Sequence, residues 1–258
     1  MQLKVLGCSG GIGGGLRTTS FLLDDDILID AGTGVGDLSI VQLAKIDHIF
    51  ITHSHLDHIA YIPLLLDTVM ETRKKPVTIY ATAETQQALK KHLFNWHIWP
   101  DFSQIPSAHQ PVMQYQTIEL GEVVTLGGRQ ITALPANHVV PAVGYQVNSG
   151  QASWVFTGDT TSCPEFWVAA NQIANLKYLI IETSYTNAES ALAMQSKHLW
   201  PTQLLQDLTQ LQGDAEVYIT HLKPVGGEEI MQEITYACEA QDLRFKPQTL
   251  KQGQIFNF

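Results

Sequence analysis

From Ile51 onward the chain reads Ile51-Thr52-His53-Ser54-His55-Leu56-Asp57-His58, which puts three imidazoles and one carboxylate within six positions. Imidazole nitrogen and carboxylate oxygen are donors that divalent cations take from proteins. The segment follows an apolar run and precedes a helical pattern. A tight turn at a strand end lets His53 and His55 converge on one point, while Asp57 and His58, at the start of the helix, face a neighbouring point. Two adjacent metal ions are expected. A solvated polar loop would explain one histidine here, not four donors at this spacing.

An open catalytic site needs about three protein donors per ion, so others must come from distant parts of the chain. Three segments end an apolar run in a donor: Pro135-Ala136-Asn137-His138, Phe156-Thr157-Gly158-Asp159 and Tyr218-Ile219-Thr220-His221. One such histidine reads as a capping or packing residue; three strand ends finishing in His, Asp and His read as ligands. Glu182, in Ile181-Glu182-Thr183-Ser184-Tyr185, ends a fourth apolar run. It could orient a metal-bound histidine without binding metal itself, or be an ordinary helix-start carboxylate. His48, His92, His97 and His109 have no ligand spacing and stay unassigned.

The elements that must position these donors follow from hydrophobic periodicity. Strands are expected at 3–6, 20–23, 27–30, 46–52, 77–81, 131–136, 143–147, 153–157, 178–182 and 217–220, and helices at 35–43, 56–72, 82–93, 202–211 and 227–238. The first three strands follow one another directly, and later ones alternate with helices. The expectation is an α/β fold, a four-layer αββα sandwich of two mixed β-sheets flanked by helices. No linker or charge block divides the chain, so residues 1–258 are expected to form one domain.

Composition narrows the partners. The chain is 45% hydrophobic and 16% charged, as a compact enzyme with a sizeable core would be. No apolar run reaches the roughly 18 residues of a membrane span, and no basic-then-apolar leader follows Met1, so a cytoplasmic protein away from membranes is expected. Three cysteines far apart suit a reducing compartment. With 15 basic and 25 acidic side chains the formal charge is −10, a field that repels long nucleic acid.

The order His-x-His-x-Asp-His, then His138, Gly158-Asp159 and His221, resembles the metallo-β-lactamase superfamily over nearly the whole chain. The resemblance implies that His53, His55 and His138 hold one metal, that Asp57, His58 and His221 hold the other, and that Asp159 bridges them. Within that superfamily Leu6-Gly7-Cys8-Ser9-Gly10-Gly11, His55-Leu56-Asp57-His58-Ile59-Ala60, Phe94-Asn95 with Ile98-Trp99-Pro100-Asp101, Ser196-Lys197-His198-Leu199 and Thr220-His221-Leu222-Lys223-Pro224 resemble the class II cyclic-nucleotide phosphodiesterases. Tyr61-Ile62-Pro63 departs from their pattern.

The branch implies hydrolysis of a small cyclic nucleotide, 3′,5′-cyclic AMP or similar, to the nucleoside monophosphate by a metal-bound hydroxide. Two ions about 3.5 to 4 Å apart can serve both the attacking and the phosphate oxygens of an in-line displacement. Zinc is the expected metal, and the same donors accept manganese or iron. The catalytic candidates are Asp57, at the metal centre, and His198, as the acid for the leaving oxygen; the bland reading of His198 is a surface histidine near a helix start. Phe94-Asn95-Trp96-His97-Ile98-Trp99 could stack on a nucleobase, pack internally, or form a homodimer contact. Gly10 to Gly15 lack the Lys-Ser/Thr of a triphosphate loop and are expected to form a flexible loop beside the site. The alternatives are a ribonuclease Z-type enzyme, a thioester or lactam hydrolase of the same fold, and a metal-binding scaffold without turnover.

Overall fold

The structure, a computed structural model, describes residues 1–258. The first half contains β1 (Gln2–Gly7), β2 (Ser20–Leu23), β3 (Ile27–Ile29), α1 (Ile40–Leu43), β4 (His48–Phe50), α2 (Leu56–Ile59), α3 (Ile62–Val69), β5 (Val77–Ala81), α4 (Ala83–His92), a small hairpin of β6 (Pro106–Ser107) and β7 (Gln110–Pro111), and β8 (Met113–Thr117). The second contains β9 (Val123–Leu126), β10 (Arg129–Pro135), β11 (Val143–Asn148), β12 (Ser153–Phe156), α5 (Pro164–Ala170), β13 (Leu176–Glu182), α6 (Ser190–Ser196), α7 (Pro201–Leu208), β14 (Glu216–Thr220), α8 (Gly227–Ala240), β15 (Gln248–Thr249) and β16 (Ile255–Asn257).

Two mixed seven-stranded sheets result, ordered β16-β1-β2-β3-β4-β5-β8 and β15-β14-β13-β12-β11-β10-β9. Strand alternation sorts their side chains into layers. Leu3, Val5, Phe21, Leu23, Ile27, Ile29 and Phe50 meet Ile131, Tyr145, Trp154, Phe156, Ile180 and Tyr218 between the sheets. Their neighbours Leu6, Leu22, Leu28 and Ile49 face outward under α3 and α4, where Ile62, Leu65, Leu66 and Leu89 cover them. On the other side Val155, Leu179, Ile181, Val217 and Ile219 lie beneath α5, α7 and α8 through Phe166, Leu204, Leu208, Ile230 and Ile234. The order is helix, sheet, sheet, helix, the expected αββα sandwich.

Local differences from the sequence reading have physical reasons. The strand expected at 46–52 is regular only over His48–Phe50. Residues 35–43 form a 3₁₀ turn, Thr33–Asp37, and then α1, restarted by a Ser39/Gln42 capping box. The helix expected over 56–72 breaks between α2 and α3, with Pro63 in the first turn of α3, where its missing N–H costs nothing. β8 and β9 escaped notice because both are edge strands of mixed polarity, half exposed along their length. α5 and α6, seven residues each, are too short for periodicity to reveal.

Candidate metal centre

The seven side chains singled out from the sequence meet at the seam between the sheets. Chain leaving β4 carries His53 into the site, and His55 is the N-cap of α2 without capping through its side chain, so the imidazole turns into the site with Nδ1 3.2 Å from His138 Nε2. Asp57 and His58 sit within α2. His138 follows β10, Asp159 follows β12 and His221 follows β14. Gly158, at φ 64°, makes the turn that delivers Asp159; a Cβ there would stand 2.6 Å from the Val143 carbonyl.

Two groups of donor atoms form, His53, His55, His138 and Asp159 in one and Asp57, His58, Asp159 and His221 in the other, and within each group all lie within 4.8 Å of one another. Asp159 belongs to both. Its Oδ2 is 3.6 Å from His53 Nε2 and 3.3 Å from His221 Nε2. Asp57 Oδ2 lies 3.1 Å from His221 Nε2 and 3.6 Å from His58 Nε2.

The donors fit divalent cations by a further criterion. His53 Nε2, His58 Nε2 and Asp159 Oδ1 are buried polar atoms without a hydrogen-bond partner. His58 Nε2 and Asp159 Oδ1 approach to 3.4 Å without hydrogen-bond geometry. Three orphaned atoms in one cluster carry a large desolvation cost unless a cation faces them.

A second ring of groups fixes the imidazoles. His58 Nδ1 lies 2.7 Å from Asp30 Oδ2, His53 Nδ1 3.0 Å from Thr52 Oγ1, and His221 Nδ1 2.8 Å from Ser184 Oγ. His138 Nδ1 donates to the Lys197 carbonyl at 3.0 Å. With one nitrogen tied, each of these rings turns Nε2 inward. Asp30 and Ser184 were missed at the sequence level, although Asp30 ends the apolar run Ile27-Leu28-Ile29 and so carried the same strand-end signature as the donors. Ser184 had no such signal.

The electrostatics suit cation binding. Burial, aided by the charge of His58, holds His53 well below the ordinary histidine value, and burial lowers His55 and His138 too, so these rings are neutral donors. Burial works against the charge of Asp159, but His221 and His58 outweigh it and keep the carboxyl well below its usual range. Asp57 is likewise lowered, its burial overcome by the hydrogen bond with His221 and the charges of His58 and His221. His58 is raised, because Asp159 and Asp30 outweigh its burial.

His198 lies beside the donors. It is 8% exposed, not a surface histidine. Its ring stands 4.9 Å from that of His138 and stacks at 5.3 Å on that of His221. Nδ1 donates to Glu182 Oε1 at 2.7 Å. Glu182 is fully buried and also accepts from Thr160 N at 3.0 Å and Ser184 Oγ at 3.1 Å. It is thus no helix-start carboxylate: it orients His198 directly and His221 through Ser184.

The other candidates lie outside the cluster. In the aromatic tract Phe94 is core, Trp99 packs against the core, and Trp96 and Ile98 are exposed. The glycine loop borders the site at Gly10, where a Cβ would stand 2.5 Å from the His221 carbonyl; Gly13, Gly14 and Gly15 adopt positive φ in open space. No helix is long and apolar enough to cross a membrane.

Residues 25–222 match the family model of the beta-lactamase superfamily domain. The chain belongs to the beta-lactamase superfamily. Among the relatives of this superfamily member is a probable 3′,5′-cyclic-nucleotide phosphodiesterase of Yersinia pestis, 27% identical across 86% of this chain and 78% of the relative. A ribonuclease Z of Thermococcus kodakarensis is 34% identical over 46% of the chain and 36% of its own length. The structure of unliganded yeast PDE1 superposes with a TM-score of 0.82 at 19% identity, covering 98% of both chains. The metallo-beta-lactamase fold protein YhfI from Bacillus subtilis superposes with a TM-score of 0.77 at 20% identity, covering 99% of both chains, and with the two facing sheets this likeness places the superfamily member in the metallo-β-lactamase fold.

Proposed function

We propose that this protein is a dinuclear metal-dependent phosphodiesterase that opens the phosphate ring of a 3′,5′-cyclic nucleotide, cyclic AMP or similar, to give the nucleoside monophosphate. The observation that carries the reading is the pair of donor groups sharing Asp159, with His198 held beside them by Glu182. The kinship with cyclic-nucleotide phosphodiesterases over most of the chain supports it.

His53, His55 and His138 would hold one cation and Asp57, His58 and His221 the other, with Asp159 between them; zinc suits the set, and manganese or iron are accommodated. Bound there, the cations supply Lewis acidity toward the phosphate and an acidified water as nucleophile. The chain's own residues do the rest. Asp57, about one-third exposed where its partners are buried, stands at the open side of the centre and orients what enters. The Glu182–His198 pair keeps Nδ1–H of His198 committed to the carboxylate, which leaves Nε2 without a protein partner. Protonated, that nitrogen can donate to the leaving 3′ oxygen. Burial disfavours its charge, but Glu182 outweighs burial and raises the imidazole above its ordinary value, so the proton is retained for donation.

Ribonuclease Z-type activity is the second reading, favoured by the relative from Thermococcus and opposed by the net charge of −10, which weakens attraction for a polyanion. The deciding experiment is elemental analysis of the purified protein with hydrolysis of cyclic AMP and of precursor transfer RNA, before and after chelation. Two equivalents of metal and chelator-sensitive turnover of cyclic AMP are expected. Cleavage of precursor transfer RNA alone would replace this reading with the second.

A further inference from the structure

The seven donors leave a contact series on one flank of the site unexplained. Tyr185, three residues beyond the end of β13, has its ring 5.8 Å from that of His198. Over the same ring, 5.0 Å from its centroid, stands Nζ of Lys223. Lys223 is two residues past His221, on a segment that is firmly tied: the Leu222 carbonyl accepts from Gly10 N at 3.0 Å and from Ser9 Oγ at 3.1 Å. Pro224 further restricts the backbone of Lys223.

The ammonium is ordered without being neutralised. An aromatic face holds a cation through its quadrupole and leaves the charge in place. The basic side chains Arg17, Lys45, Arg73, Lys75 and Arg129 pair with Asp37, Asp25, Asp47 and Asp26, and Lys223 takes no part in such pairs. Lys223 also borders, with Glu228 and Glu229, a cavity of about 730 Å³ that none of the seven donors lines, yet its close contact is the ring. In a chain of net charge −10, a tethered and unpaired cation linked to a candidate catalytic histidine through the Tyr185 ring calls for an anionic ligand.

We infer that Lys223, seated on Tyr185, is the anion-recognising residue of this site and selects substrates whose diester is negatively charged over neutral esters. The inference rests on the phosphodiesterase reading. An ammonium is a compact point charge with three donors, suited to a phosphate oxygen that changes position as a ring opens. The ring fixes the lysine stem before the substrate arrives, so less side-chain entropy is lost on binding.

The test uses the metal-loaded protein with the variants Lys223→Met, Lys223→Arg, Tyr185→Phe and Tyr185→Leu. Loss of a charge-assisted hydrogen bond should raise KM for cyclic AMP about 10- to 100-fold in Lys223→Met with kcat little changed. Lys223→Arg and Tyr185→Phe should recover most of the affinity, and Tyr185→Leu should not. Calorimetry supplies the second readout: 5′-AMP binding should weaken in Lys223→Met, whereas binding of uncharged adenosine should not change. Unaltered KM and unaltered 5′-AMP binding would overturn the inference and leave Lys223 a packing residue, as would parallel losses for 5′-AMP and adenosine. A wild-type protein that hydrolyses no cyclic nucleotide but binds 5′-AMP through Lys223 would refute the phosphodiesterase reading and uphold the anion site.

Discussion

His58 Nδ1 and Asp30 Oδ2 lie 2.7 Å apart with both side chains fully buried, and the same carboxylate accepts from Thr52 N and Thr52 Oγ1 at 2.8 Å each. Asp30 therefore aims His58 and anchors the backbone that leads to His53. Asp30→Asn should lower metal affinity by about 10- to 100-fold, the usual effect of losing a carboxylate behind a metal-binding histidine. Leaving a buried partner unpaired should also cost about 3–5 kcal/mol of stability. Competition with a chromophoric chelator and denaturant unfolding measure the two effects; undiminished affinity would mean that Asp30 does not steer His58.

His198→Ala should reduce kcat by about 10² to 10⁴-fold while both metals stay bound, because proton donation is lost and no donor atom is. Because Glu182 acts partly through His198 and partly through Ser184 on His221, adding Glu182→Gln to that variant should cost less in rate than Glu182→Gln does alone, the remaining loss coming with weaker metal binding. A single variant with normal turnover and full metal content would remove His198 from the reaction.

Lys197 ends α6 at φ 52° and ψ 53°, left-handed backbone that a side chain resists, and this conformation presents its carbonyl to His138. Relief of that strain should make Lys197→Gly more stable by about 1 kcal/mol, with part of the gain offset by the lost contact from Lys197 Nζ to Asn137 Oδ1. Lys197→Val should be less stable than wild type by about 1–2 kcal/mol and bind metal more weakly, since a β-branched residue drives the backbone out of this region. Thermal melting of the two variants, each with and without metal, separates strain from positioning.

Asp47 accepts from Arg73 Nη2 at 2.6 Å and Lys75 Nζ at 2.5 Å. Burial raises its carboxyl, but the hydrogen bonds from Lys75 and Arg73 outweigh that and hold it below the usual range. A lowered folded-state value means that the unfolded chain takes up the proton first as pH falls. The stabilisation is therefore present above the ordinary carboxyl value of 3.8 and disappears as the pH drops through the lower folded value. Asp47→Asn should flatten that part of the acid limb in urea midpoints measured from about pH 5 downward through the ordinary carboxyl value of 3.8, and an unchanged limb would show the carboxylate to be inert.

The layers and the donors were legible because both obey short-range rules. Alternation along strands such as Phe21-Leu22-Leu23 sorts inner from outer faces, and each of the four donor segments begins where an apolar run stops. What escaped depends on contacts between distant segments or on missing contrast. The Glu182–His198 pair joins positions 16 apart across α6, and nothing local in either sequence announces the other. Ser184 resembles any serine after a strand until His221 comes back to it. The breaks in the first two expected helices coincide with the Ser39/Gln42 capping box and with Pro63 at the start of α3, signals that the continuous apolar pattern masked.

Four of the seven donors come from one sheet's connections and three from the other's, so neither layer pair owns a complete set. Cations captured there would rivet the two β-layers together, and the grip would vanish once the layers part. Persistence of the folded protein in a cell should then track the supply of that ion, with starvation for it clearing the enzyme as well as silencing it.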